Sequence, residues 1–133
     1  MTQDLRSISL QCKAFLDRVD GLGRQVSDSR EFDLLHQIEL LCRDVVVQIN
    51  RAEGGDSLEA SLDCIVQARG MLAAEQNRFD TSDEYKELPL DWHHGLRQDI
   101  AALGSRLTAR IQQLRHLIKL RDEGPKHGRK GEC

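Results

Sequence analysis

The chain has 133 residues, enough for one domain with one core, and its 31% charged and 39% hydrophobic content is that of a soluble fold rather than a disordered chain. With one tryptophan, one tyrosine, three phenylalanines and two prolines it argues against a β-sandwich, because strands favour aromatic and β-branched residues. A net charge of −3 gives no global reason to expect nucleic acid or anionic lipid as partner, and no run approaches the ~20 apolar residues of a membrane span.

The first segment carries Leu5, Ile8, Cys12, Phe15, Val19, Leu22 and Val26, at intervals alternating between three and four. That is one stripe along a helix. Thr2 is the candidate N-cap, and Gly21 and Gly23 weaken the last turn by ~1 kcal/mol each. Asp28 and Glu31 then have the spacing of a capping box. The second segment repeats the stripe with Leu35, Ile38, Cys42, Val45 and Ile49, and adds Leu34, Leu41 and Val46 beside it. A face this wide needs neighbours on two sides. Gly54-Gly55 ends the helix.

Asp56 and Glu59 predict a second capping box, opening a third helix with Leu58, Leu62, Ile65 and Leu72. Its seam is poorer, since Arg69 falls on it and Gly70 follows, so this helix is expected to be the least stable. The stretch DTSDEYKELPLD (Asp80 to Asp91) reads as a solvated acidic connector with one helical turn at most. The fourth segment runs through Trp92, Leu96, Ile100, Leu103, Leu107, Ile111, Leu114 and Ile118 until Gly124-Pro125 stops it. Short connectors force antiparallel neighbours. The fold class is therefore all-α, an antiparallel up-down four-helix bundle over residues 1–123 with a long fourth helix, followed by a short disordered basic tail at 124–133.

The segment DWHHGLRQ (Asp91 to Gln98) holds the single tryptophan and two of five histidines. Adjacent His93 and His94 point about 100° apart on a helix and cannot both chelate one metal. The spacing puts His93 on the core seam and His94 on the flank, within reach of Asp91, while Trp92 covers an open end of the bundle. The stretch is read as a helix start. Cys12, Cys42, Cys64 and Cys133 form no Cys-x-x-Cys pair and are read as reduced thiols of a cytosolic protein, Cys12 and Cys42 on the core seams and Cys64 pointing away from them, with no metal and no cofactor.

Arg110-x5-His116 is similar to the Arg-x4–6-His signature of the HEPN ribonucleases, themselves helical bundles, and would imply RNA cleavage. Arg30-x5-His36 has the same spacing. The passage RAEGGDSLEASLDCIVQARGML (Arg51 to Leu72) resembles the second-to-third helix region of flagellar export chaperones of the FliT type, which implies binding a client peptide along a helical groove. IAALGSRLTARI (Ile100 to Ile111) resembles the last helix of retroelement accessory proteins of the variability-determinant type, which implies a basic oligomer on RNA and a reverse transcriptase.

The expected function is non-enzymatic, that of an adaptor, chaperone or regulator binding another protein through an amphipathic helix; a homodimer is allowed, a membrane is not, and the alternative is RNA binding or cleavage by the basic fourth helix. The first three helices span roughly 22 residues, about 33 Å, so the longer fourth helix is expected to overhang at its far end. From Arg106 to Arg121 there are five basic residues and no acid. Leu117 and Leu120 broaden the apolar arc beyond the seam. The candidate partner-binding residues are Arg106, Arg110, Arg115, Leu117, Ile118, Lys119, Leu120 and Arg121, with the acidic connector as the reciprocal surface in a homodimer.

Overall fold

The computed structural model describes the backbone of residues 5–132 and the side chains of residues 5–123. The described backbone holds five helices and no strand: α1 (Leu5–Gly23), α2 (Ser29–Glu53), α3 (Leu58–Thr81), α4 (Asp83–Lys86) and α5 (Leu90–Glu132). The chain is an all-α helical bundle. Thr2 lies outside the described residues. So do the side chains of the expected 124–133 tail, although α5 is assigned as helix as far as Glu132, past Gly124-Pro125.

The stripes of the first, second and fourth segments are the core. Leu5, Ile8, Cys12, Phe15 and Val19 of α1 meet Leu35, Ile38, Cys42, Val45 and Ile49 of α2 and Leu96 to Leu114 of α5 in one buried cluster. Each such side chain contributes roughly 1.5–3 kcal/mol by leaving water. α3 lies between α2 and α5 and packs extensively on both, whereas α1 meets α2 closely and α5 only sparingly.

Cross-helix pairs give the direction of α5. Arg18 pairs with Asp99 (2.9 Å), while Arg106 reaches back to Gln11 and to Ser7 (2.6 Å), so α5 runs antiparallel to α1. Arg97 pairs with Asp80 and Arg121 with Glu59, which makes it antiparallel to α3 as well.

Four sequence expectations are corrected. The N-cap of α3 is Ser57, not Asp56; its hydroxyl accepts from Ala60 N–H (3.1 Å), and Glu59 turns to Arg121 instead of closing a capping box. At α2 Asp28 is the N-cap, accepting from Arg30 N–H (2.9 Å), while no bond from Glu31 closes the expected capping box among the described residues.

The second correction is the α3 seam. It runs Ser61, Ile65, Ala68, Leu72, Glu75, Phe79, again at intervals of four and three, while Arg69 is exposed and Leu58 and Leu62 are half-buried. Small and polar residues on the buried face hid it. α3 packs on both α2 and α5 along this seam.

The third is the connector. Its acidic stretch is not simply solvated, because Tyr85 in α4 and Leu88 after it are buried. Tyr85 packs on Phe79 with ring centroids 4.8 Å apart, and its hydroxyl donates to the Glu75 carboxylate (3.0 Å to Oε1). Two of the connector's acids are taken by cross-helix partners, Asp80 by Arg97 and Glu87 by Arg30.

The fourth concerns the overhang. Arg121 reaches Glu59 in the first turn of α3, so α5 is flanked by α3 through Arg121. Against α3 the overhang begins only after Arg121 and runs as helix to Glu132, and α5 also extends at the other end. Arg97 is level with Asp80, near the end of α3, so residues 90–96 extend roughly 10 Å further, where Tyr85, Leu88 and Trp92 close the bundle.

Candidate functional site

The Asp91–Gln98 stretch is structural. His93 is half-buried; its Nε2 donates to the Phe79 carbonyl (2.9 Å) and its ring lies 5.1 Å from that of Phe79. The bond ties the first turn of α5 to the last turn of α3. His94 is exposed and does not pair with Asp91 among the described residues. Trp92 is half-buried against the core.

Cys12 and Cys42 face each other across α1 and α2, both fully enclosed, and the Cys42 thiol approaches the Cys12 carbonyl at 3.7 Å. Its hydrogen bonding with Cys12, and then burial, hold the Cys42 thiol protonated well beyond the usual range. Cys64 is half-buried on α3. It stands six residues after the start of α3, while Cys42 stands eleven before the end of α2, a separation of roughly 8 Å along the axes. Among the described residues no three His, Cys, Asp or Glu side chains are grouped to hold a metal ion.

Arg110 and His116 lie six residues apart on α5, about 120° around the axis. They share no face. Arg110 turns to Gln113 (2.7 Å) and His116 is exposed.

The basic candidate residues of α5 separate into two groups. Arg106 is occupied with Ser7 and Gln11, and Arg121 with Glu59 and Asp122. The guanidinium beside Glu59 holds its carboxyl down to about 2, with Arg121 raised in turn. These two arginines fasten the bundle. Ile118 is half-buried and continues the core stripe.

What remains on the surface is Leu117 (39% exposed), Leu120 (51% exposed), Arg115, which has no hydrogen bond or ion pair among the described residues, and Lys119, whose Nζ is 4.0 Å from Glu123. The described part of α1 stops short of them. Arg106 is level with Ser7 and Gln11, so Leu5 falls near Arg110, and Leu117 and Leu120 lie roughly 10 to 15 Å beyond it. Along this edge of α5 the described part of α1 supplies no cover. The sequence picked out these two leucines by excess apolar arc; nothing in it told the occupied arginines from the unoccupied ones.

The molecule also has a cleft of about 180 Å³ between α1 and α5, lined by Phe15, Arg18, Asp99 and Leu103. A wider groove of about 510 Å³ runs between α3 and α5, where Ala73, Ala101 and Gly104 leave space below Arg69. No described helix is long and apolar enough to cross a membrane. No family model, characterised protein or solved structure matches the chain.

Proposed function

We propose that this protein is a non-enzymatic helical bundle that acts by binding another protein, as an adaptor, chaperone or regulator in the cytoplasm, with α5 as the binding element. One observation carries the reading. Leu117 and Leu120 stand in solvent on a stretch with no acid from Arg106 to Arg121, on the edge of α5 that the described part of α1 leaves uncovered. An exposed apolar pair with Arg110 two turns away on the same edge of a helix is the kind of surface that helix-in-groove partners use.

The test is affinity capture from the native host with Leu117→Gln/Leu120→Gln, keeping nucleic acid in the sample. Both side chains are on the surface, so the expected result is loss of the captured protein with unchanged helicity and unfolding midpoint. Unchanged capture, or recovery of RNA with affinity falling steeply with salt, would overturn the reading.

A further inference from the structure

Arg110 sits two turns before Leu117 on the same edge of α5, the residues Arg106, Arg110, Gln113, Leu117 and Leu120 following one another at intervals of four, three, four and three. Its surroundings are incomplete. Nη1 donates to Gln113 Oε1 at 2.7 Å, but Nε is enclosed and has no acceptor among the described residues. A guanidinium presents five N–H groups in a fixed planar fork suited to a carboxylate. Among the described residues it makes one hydrogen bond, to a neutral amide on its own helix, and no ion pair.

Arg106 and Arg121, on either side, already hold their acceptors from α1 and α3. Arg110 is level with the first described turn of α1 and receives none. Turning outward, it would exchange an unsatisfied N–H and one amide contact for a two-pronged charge-assisted pair, with little to lose from its present position.

We propose that α5 receives an acidic amphipathic helix of a partner protein, lying along the edge from Arg110 to Leu120 in the line that the described part of α1 leaves open, with a carboxylate on Arg110 and an apolar side chain on Leu117 and Leu120. This rests on the protein-binding reading above and names the partner's chemistry. Acidity follows from Arg110, whose enclosed Nε lacks an acceptor among the described residues, on an edge that carries no acid from Arg106 to Leu120. The required spacing is a carboxylate two helical turns from the apolar anchor, roughly 10 Å.

Three synthetic helical peptides with one common leucine face, and Glu, Gln or Lys at the flanking positions, test this by fluorescence anisotropy with the full chain. The expected result is that the Glu peptide binds about tenfold or more tightly than the Gln peptide, and that the Lys peptide binds more weakly still. Arg110→Ala should bring Glu and Gln peptides to within about threefold of each other, while Arg115→Ala, an exposed charge, should leave most of the preference intact. Arg110→Lys should restore it only in part, because an ammonium lacks the planar fork.

Equal affinity for all three peptides, binding by none, or a preference that survives Arg110→Ala overturns the proposal. A native chain that dimerises in solution and becomes monomeric with Leu117→Gln/Leu120→Gln also overturns it, by showing a second copy on this face. If host capture depends on the two leucines while the peptides show no charge preference, the acidic anchor falls and protein binding stands. If capture ignores the leucines, both fall.

Discussion

Tyr85→Phe removes one oxygen from a buried site and leaves the ring in place against Phe79. The oxygen is the donor to Glu75, at 3.0 Å from Oε1 and 3.3 Å from Oε2, and Glu75 is 2% exposed on the inner face of α3. The other nearby cation, Arg78, is at 3.7 Å and itself largely exposed. Losing the donor to a buried carboxylate costs about 1–3 kcal/mol. For a chain of this length that lowers the unfolding midpoint by about 3–5 °C per kcal/mol.

The cost should depend on pH, with a sign that can be worked out. Burial raises the Glu75 carboxyl above its ordinary value of 4.5, with Tyr85 and Arg78 pulling it partly back. The folded state therefore holds this proton more tightly than the unfolded chain. This group's contribution to stability falls as pH rises from about 4.5 through its raised folded value. Tyr85→Phe removes a group that favours the charged carboxylate, so the fall becomes steeper. Urea unfolding followed by circular dichroism at pH 4 and pH 7 should show the variant's deficit to be larger at pH 7. Equal deficits at both values, or a deficit below ~0.5 kcal/mol at pH 7, would refute the claim that the hydroxyl serves a buried carboxylate. In a Glu75→Gln background the pH dependence of the deficit should vanish.

Ser57→Ala should lose about 1 kcal/mol of stability in chemical denaturation, whereas Asp56→Ala should stay within ~0.5 kcal/mol, because Ser57 makes the bond to Ala60 N–H. Gly104→Ala should stabilise by about 1 kcal/mol, since a Cβ there meets nothing within 4 Å; a lower melting temperature would count against this. Under native conditions a thiol reagent read by mass spectrometry should label Cys64 well before Cys12 and Cys42, which are fully enclosed. Labelling of Cys42 as fast as Cys64 would show that α1 opens from α2.

Much of the fold follows from periodicity alone. Three stripes at helical spacing state that α1, α2 and α5 each bury one face, and the buried residues Ile8, Cys12, Ile38, Cys42, Leu96 and Leu107 lie on those stripes. The third seam was illegible for a physical reason: Ser61, Ala68 and Glu75 occupy buried positions because α2 and α5 press close on both sides, and hydropathy records a residue's preference and not its surroundings. The same limit applies to Tyr85 and Leu88, apolar residues in an acidic stretch whose burial depends on the end of α3 meeting the start of α5. For the site, excess apolar arc made Leu117 and Leu120 visible. The five basic residues between Arg106 and Arg121 look alike in sequence, yet Arg106 and Arg121 are spent on α1 and α3 while Arg110 and Arg115 are not. Which arginine meets an acceptor is decided by where the neighbouring helices begin, a property of the packed bundle that no spacing along α5 contains.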